Sequence, residues 1–339
     1  MPGQIIQENN QKNTQENIMG KKIVITKENF EPYLDKVRGL AEPFGYEVVY
    51  ETEPLKVGKH LKDAEIVLGF GRKVLDGATE NLKWVCSQAA GVDWFLKSPY
   101  RPKHDVILTN CSGAFGVAVA EHAVMMLLEI LRKQPAYQKL VSERVFRYDL
   151  DVRSIIDLPI TILGTGDLGC ETAKRLRAFE PASITGVNVK GRNPDGLFDR
   201  VVTQDRVEEV LPETGALIMC LPGTPETKGF MDAARLSLLP REAVLVNVGR
   251  GNAIVQTDLI KALTDGTISY AALDVYEKEP LKADDPVYDC PNLLMTPHAS
   301  GSIQMPYTVR RTFEIFYENL DNYLHGRQLF NVVDQQRGY

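Results

Sequence analysis

Residues 158–177 read LPITILGTGDLGCETAKRLR, and no other stretch limits the fold as tightly. A run of β-formers at 159–163 leads into Gly164, Gly166 and Gly169, spaced G-x-G-x-x-G. Residues 171–179 then carry apolar side chains at helical intervals. Strand, glycine turn and helix start, in that order, make the dinucleotide-binding fingerprint. Gly164 permits the sharp turn, Gly166 lets the backbone approach a pyrophosphate, and Gly169 lets helix and strand pack closely. The helix N-terminus offers such an anion free N–H groups and a partial positive charge. Taken alone, the same spacing also occurs in an ordinary βα turn.

The rest of the chain supplies the context. Residues 22–26, 47–50, 65–70, 82–87 and 106–110 read as strands, with short helical patterns such as 33–40 between them. After the fingerprint come strands at 182–189, 216–220, 243–248, 269–273 and 292–296. Strands alternating with helices predict parallel sheets covered on both faces. At 339 residues the chain is long enough for about two domains. The expected fold class is α/β, with two Rossmann-like or flavodoxin-like doubly wound parallel-sheet domains. The helical pattern at 306–325, with Val309, Phe313, Phe316, Leu320 and Tyr323 on one face, follows the second sheet and is expected to return to the first. The first domain is then discontinuous, 19–112 with 302–333, and the dinucleotide domain is 113–301. Residues 1–18, rich in Gln and Asn, read as a disordered tail, and those from Asp334 as a loose end.

Composition narrows the function. A net charge of −6 gives no reason to expect a nucleic-acid or anionic-membrane surface. Five cysteines stand singly, which fits a reduced, cytoplasmic protein better than a disulfide framework. The five histidines are scattered, so no metal-ligand cluster is read. The longest apolar stretch, 117–131, is broken by Glu121, His122 and Glu129 and is too short to span a bilayer. It predicts a helix buried on several sides, in the core, between domains or in a subunit interface, with His122 a packed rather than a catalytic histidine. Residues 132–157 carry no clear chemistry.

In an open α/β sheet, ligands bind beyond the carboxyl ends of the strands. Arg250, Asp274 and His298 follow three successive strands, and Glu279 lies five residues after Asp274. A cation, carboxylates and a histidine at one sheet edge form a set suited to carbonyl reduction. The second strand of the fingerprint unit ends in Asn188, Val189, Lys190, Gly191 and Arg192, without the carboxylate that an NAD site uses for the ribose hydroxyls. Lys190 and Arg192 suit a 2′-phosphate, which favours NADP over NAD; the alternative is a pair of solvated loop cations. The loop from Cys220 through Leu221 and Pro222 to Thr227 is expected to pass beside the cofactor. After the fourth strand, Gln88 to Asp93 form a small-residue turn, equally compatible with a carboxylate-binding backbone and with a plain βα connection.

Together these residues resemble the D-isomer-specific 2-hydroxyacid dehydrogenase family, in its glyoxylate/hydroxypyruvate reductase-like branch. The matching pieces are GTGDLG at 164–169, LPGTPET at 221–227, VNVGRG at 246–251, ALDVYEKEP at 272–280 and TPH at 296–298, with AGVD at 90–93 and VAEHA at 119–123 beside them. The resemblance implies an NAD(P)-dependent oxidoreductase with its active site in the interdomain cleft and a homodimer formed through the helix at 119–131. It implies Arg250 as the substrate-binding arginine, His298 as the acid/base and also a substrate contact, and Glu279 as the carboxylate beside it. Asp274 would hold the nicotinamide carboxamide, and Ala90, Gly91 and Val92 would bind the substrate carboxylate through their backbone. Gly164, Thr165, Gly166, Asp167, Leu168, Gly169, Asn188, Lys190, Arg192, Cys220, Leu221, Pro222, Thr227 and Val248 complete the implied cofactor surface. The expected substrate is a small 2-oxo acid such as glyoxylate, hydroxypyruvate or pyruvate, with 68–72 and Trp94 near its side chain. The alternative on the same scaffold is a dinucleotide-sensing protein like the C-terminal-binding-protein corepressors.

Overall fold

The computed structural model describes residues 21–69, 79–99, 102 and 104–336. The readings for 1–18, Phe70, Arg72 and the Trp94 side chain lie outside the described residues. The chain divides into two compact units: one runs to Ala114 and resumes at Ile303, and the other is Phe115–Ser302.

The first unit is built on β1 (Lys21–Ile25), β2 (Tyr46–Tyr50), β3 (Ala64–Gly69), β4 (Trp84–Ser87) and β5 (Ile107–Thr109), all parallel, in the order β2-β1-β3-β4-β5. The edge strand β2 buries only Tyr46, while the central strands β3 and β4 are buried at every position but Glu65, because helices cover the sheet. One of these, Pro306–Leu324, starts with proline at its first position, where no intrahelical N–H is needed, and buries Val309, Phe313, Phe316 and Leu320 at three- and four-residue steps. Phe316 and Tyr323 stack on the buried Trp84 ring, at centroid distances of 5.6 and 5.4 Å. Such aromatic pairs each contribute about 0.5–1.5 kcal/mol beyond their buried area.

The sequence expectation of a loose end from Asp334 is corrected at Gln335, because Val332–Gln335 is tied to β5. Val332 bridges Thr109 in antiparallel fashion, the Val333 N–H donates to the Leu108 carbonyl at 2.9 Å, and the Gln335 amide donates to the Val106 carbonyl at 2.9 Å. The segment covers the open edge of β5, which would otherwise present unpaired backbone groups.

The second unit holds β6 (Pro159–Leu163), β7 (Ser183–Asn188), β8 (Arg200–Thr203), β9 (Ala216–Met219), β10 (Val244–Asn247), β11 (Tyr270–Leu273) and β12 (Leu293–Met295). The sheet is parallel throughout, ordered β12-β11-β10-β9-β6-β7-β8. The chain leaves β6 for β7 and β8, then returns to the other side of β6 with β9. The topological switch point, where open α/β sheets bind ligands, therefore lies between β6 and β9. The ladder continues one rung past the strands. Cys220 donates to Leu163, Val248 to Met219, Asp274 to Asn247, and Thr296 to Leu273. With strands about 4.8 Å apart, Gly164, Cys220, Val248, Asp274 and Thr296 form one row roughly 19 Å long. That row is why residues far apart in sequence share an edge.

The helix Gly116–Leu131 packs on the fingerprint helix Asp167–Arg177 and is buried along most of its surface, leaving Glu121 and Met125 outside. Among the described residues no helix is long and apolar enough to cross a membrane, and no group of His, Cys, Asp and Glu is arranged to hold a metal ion.

Candidate active site

The three fingerprint glycines differ in what surrounds them. Gly164 has φ +93°, in the left-handed region, and a Cβ there would lie 2.8 Å from the Cys220 carbonyl oxygen. A Cβ on Gly169 would lie 1.9 Å from the Gly164 carbonyl oxygen, so helix and turn touch backbone to backbone. Gly166, immediately before the helix, faces open space, with nothing within 4 Å of its would-be Cβ. Space beside a helix N-terminus is what a pyrophosphate requires. Leu168 and Asp167 begin that helix. Beside the turn, burial pushes the Cys220 thiol up to about 12, so it is a packing group at neutral pH.

At the end of β7, the carboxamide of Asn188 is fully engaged. Its amide donates to Thr165 Oγ1 at 2.7 Å and to the Arg192 carbonyl at 2.8 Å, and its oxygen accepts from the Lys190 N–H at 2.9 Å. Asn188 thus ties the exposed basic turn to the glycine loop. Lys190 and Arg192 are both exposed.

Beyond β11 and β12, the hydrogen bonds are dense. His298 Nδ1 and Glu279 Oε2 are 2.6 Å apart, and the other oxygen of Glu279 accepts from the Tyr276 N–H at 2.8 Å. The imidazole is about half exposed. His298 stands at φ +53°, a conformation uncommon outside glycine. Asp274 has no exposed surface. Burial alone would raise its pKa, but hydrogen bonds from Ser300, Thr296 and the amides of Ala299 and Ser300 outweigh this and hold it below the usual carboxylate value. His122 Nε2 lies 2.9 Å from Thr296 Oγ1. Sequence reasoning identified a packed histidine there but missed this bond. The available signal was a polar side chain on a buried helix face, which needs a partner.

Arg250 follows β10, and its Nη1 donates to the Gly249 carbonyl at 2.9 Å. Gly249 and Gly251 on either side are pressed against other backbone, Leu221 and Tyr276 respectively. These contacts bring the Arg250 loop to the 221–227 loop on one side and to the segment carrying Glu279 on the other. Leu221 and Val248 are buried, and Thr227 holds its own loop together by donating to the Pro222 carbonyl at 2.5 Å and accepting from the Thr224 N–H.

In the first unit, Asn110 donates to the Ala90 carbonyl at 3.0 Å and the Ser87 hydroxyl accepts from the Ala89 N–H. Among the described residues none accepts from the N–H groups of Gly91 or Val92.

A family model described as "D-isomer specific 2-hydroxyacid dehydrogenase, NAD binding domain" matches residues 124–300. The chain belongs to this family. Glyoxylate/hydroxypyruvate reductase A of Klebsiella pneumoniae is 30% identical to it over 268 residues, 76% of this chain and 82% of that protein. Among solved structures, a D-isomer specific 2-hydroxyacid dehydrogenase family protein from Aeromonas salmonicida matches with a TM-score of 0.83 at 29% identity, covering 93% of this chain and 99% of that one. An NADPH-dependent glyoxylate/hydroxypyruvate reductase from Sinorhizobium meliloti, in complex with NADP and sulfate, matches with a TM-score of 0.78 at 28% identity, covering 94% and 100%. The protein is accordingly an NAD(P)-dependent oxidoreductase of the CH–OH class, acting on small 2-hydroxy or 2-oxo acids. Its residues fit the coenzyme: the open space over Gly166 and the helix N-terminus behind it suit the pyrophosphate.

Proposed function

We propose that this family member reduces small 2-oxo acids such as glyoxylate, hydroxypyruvate or pyruvate, and prefers NADPH to NADH. The observation that carries the reading is the 2.6 Å pair of His298 and Glu279, on the same sheet edge as the glycine turn. Bound there, the reduced nicotinamide supplies a hydride. Glu279 fixes the imidazole through Nδ1, which leaves Nε2 as the nitrogen that gives a proton to the carbonyl oxygen. Arg250 clamps the substrate and polarises its carbonyl, as a guanidinium suits a carboxylate geometry. The N–H groups of Gly91 and Val92, with Ala90, receive the substrate carboxylate. Substrate choice is supported by the named activity of the Klebsiella and Sinorhizobium relatives. A panel of 2-oxo acids assayed by absorbance with each coenzyme tests the reading. Turnover of at least one of the three is expected, and oxidation of neither coenzyme with any of them would end it.

The NADPH preference rests on Lys190 and Arg192 and on Asn188 standing where a carboxylate would repel a phosphate. Replacing both cations by alanine is expected to lower the ratio of kcat/KM for NADPH over NADH about 10–100-fold, the scale of one or two charge-assisted hydrogen bonds. An unmoved ratio assigns the phosphate elsewhere.

The working form in this reading is a homodimer in a reducing, cytoplasmic compartment. All five cysteines are free, which supports the compartment. The helix Gly116–Leu131 leaves little apolar surface, but the chain after it exposes Val141, Phe146 and Tyr148, at 67%, 97% and 83%. Side chains of this kind left in water support a second copy as their cover. Phe146→Glu is expected to halve the mass seen by light scattering, with the fold intact by circular dichroism.

A further inference from the structure

Asp274 grips three consecutive amides. Its carbonyl accepts from the His298 N–H at 2.8 Å, and its carboxylate accepts from Ala299 N–H at 2.8 Å and Ser300 N–H at 3.1 Å. This is the turn that holds His298 at φ +53°. A left-handed conformation is unfavourable for a non-glycine residue and persists only where its surroundings over-determine it.

The same carboxylate oxygen that binds Ala299 also accepts from the Thr296 hydroxyl at 2.6 Å. A threonine hydroxyl carries a single proton. With that proton directed at Asp274, Thr296 Oγ1 can only accept from His122 Nε2, which therefore carries hydrogen. His122 arrives from the helix Gly116–Leu131, 174 residues away in sequence. Its ring is largely buried, with 16% of the side chain exposed, and Nε2 lies 3.7 Å from the Asp274 carboxylate itself. The donors converge on one residue: His122 Nε2–H donates to Thr296 Oγ1, the Thr296 hydroxyl donates to Asp274, and Asp274 also accepts from the amides of 298–300.

We propose that His122 and Thr296 are positioning residues for His298: they orient Asp274 so that it holds the left-handed turn from which the imidazole meets Glu279. The inference rests on His298 as the acid/base of the proposed reaction. Neither residue touches the reacting atoms. Their effect passes through the backbone.

The test combines hydrogen exchange with kinetics on the full chain. Thr296→Val removes the hydroxyl at nearly constant volume, Thr296→Ser keeps it, and His122→Leu removes the donor while His122→Gln supplies another. Exchange of the amides at 298–300, followed in peptides spanning 296–303, is expected to quicken roughly tenfold in Thr296→Val, the scale of one lost hydrogen bond. His122→Leu should move it the same way, and Thr296→Ser and His122→Gln should restore it. Exchange in β6 and β7 should stay as in the parent, and kcat should fall with the exchange while KM for the 2-oxo acid holds. Parent-like exchange at 298–300 in both Thr296→Val and His122→Leu overturns the proposal. So does an equal rise across the whole second unit, which marks a general packing role. Quickened exchange confined to 298–300, in a chain that reduces no 2-oxo acid, would uphold the positioning role and remove instead the acid–base reading it serves.

Discussion

His298→Asn is expected to lower kcat for 2-oxo acid reduction about 10²–10⁴-fold, the usual contribution of a positioned general acid. NADPH binding, read by fluorescence titration, should survive, because the glycine turn is held by the Gly164 N–H donating to the Val187 carbonyl at 2.8 Å and by the Asn188 amide donating to Thr165 Oγ1 at 2.7 Å, neither of which involves residue 298. Asparagine is the informative replacement. The backbone at 298 is left-handed, and asparagine tolerates that region far better than most residues. Alanine is not favoured in that region as asparagine and histidine are, and it would mix backbone strain with lost chemistry. An asparagine variant that turns over at the parent rate would remove His298 from the reaction. One that only melts earlier would make it structural.

Gly251→Ala is expected to be the most damaging single methyl in the second unit's site. The added Cβ would lie 1.9 Å from the Tyr276 carbonyl carbon and 2.1 Å from its oxygen. Both atoms are backbone, so no rotamer change relieves the clash, and Tyr276 is itself pinned. Its hydroxyl lies 2.9 Å from the Thr296 carbonyl and 3.1 Å from that of Leu273, and its N–H holds Glu279. Overpacking of this kind costs about 1–3 kcal/mol or more, a fall in Tm on the order of 10 °C for a unit of this size. Moving Tyr276 also moves the carboxylate that orients His298, so kcat should fall beyond what reduced stability explains. Calorimetry alongside kcat at a temperature well below the transition checks both parts. A variant that melts and turns over like the parent would show that the two loops do not depend on each other.

Much of this architecture could be read from the residues. The strand 159–163 and its three glycines were legible because a β-forming run and a glycine turn are local signals. The residues after β10, β11 and β12 stood out because polar groups directly following buried strands have few reasons to be there. What escaped was either weakly patterned or non-local. The strand β8 (Arg200–Thr203) is short, lies at the sheet edge and buries only Val202, so it lacks the apolar run of its neighbours. The helix Gln134–Ser142 buries nothing, and a helix without an apolar stripe leaves no period to detect. His122 looked like filler because its partner lies on another strand end, and a side-chain hydrogen bond across 174 residues writes nothing into local sequence. Asn188 was read for the carboxylate it replaces. Its role in tying Lys190 and Arg192 to Thr165 is visible only in three dimensions.

The strip of chain at Val332–Gln335 that lies along β5 has a practical side. Trimming it would leave a bare rung on which a neighbouring molecule's strand can zip, so the harm would surface first as turbidity on concentration and storage. Reading frames for fusion partners are better placed upstream of the first strand than spliced into that closing strip.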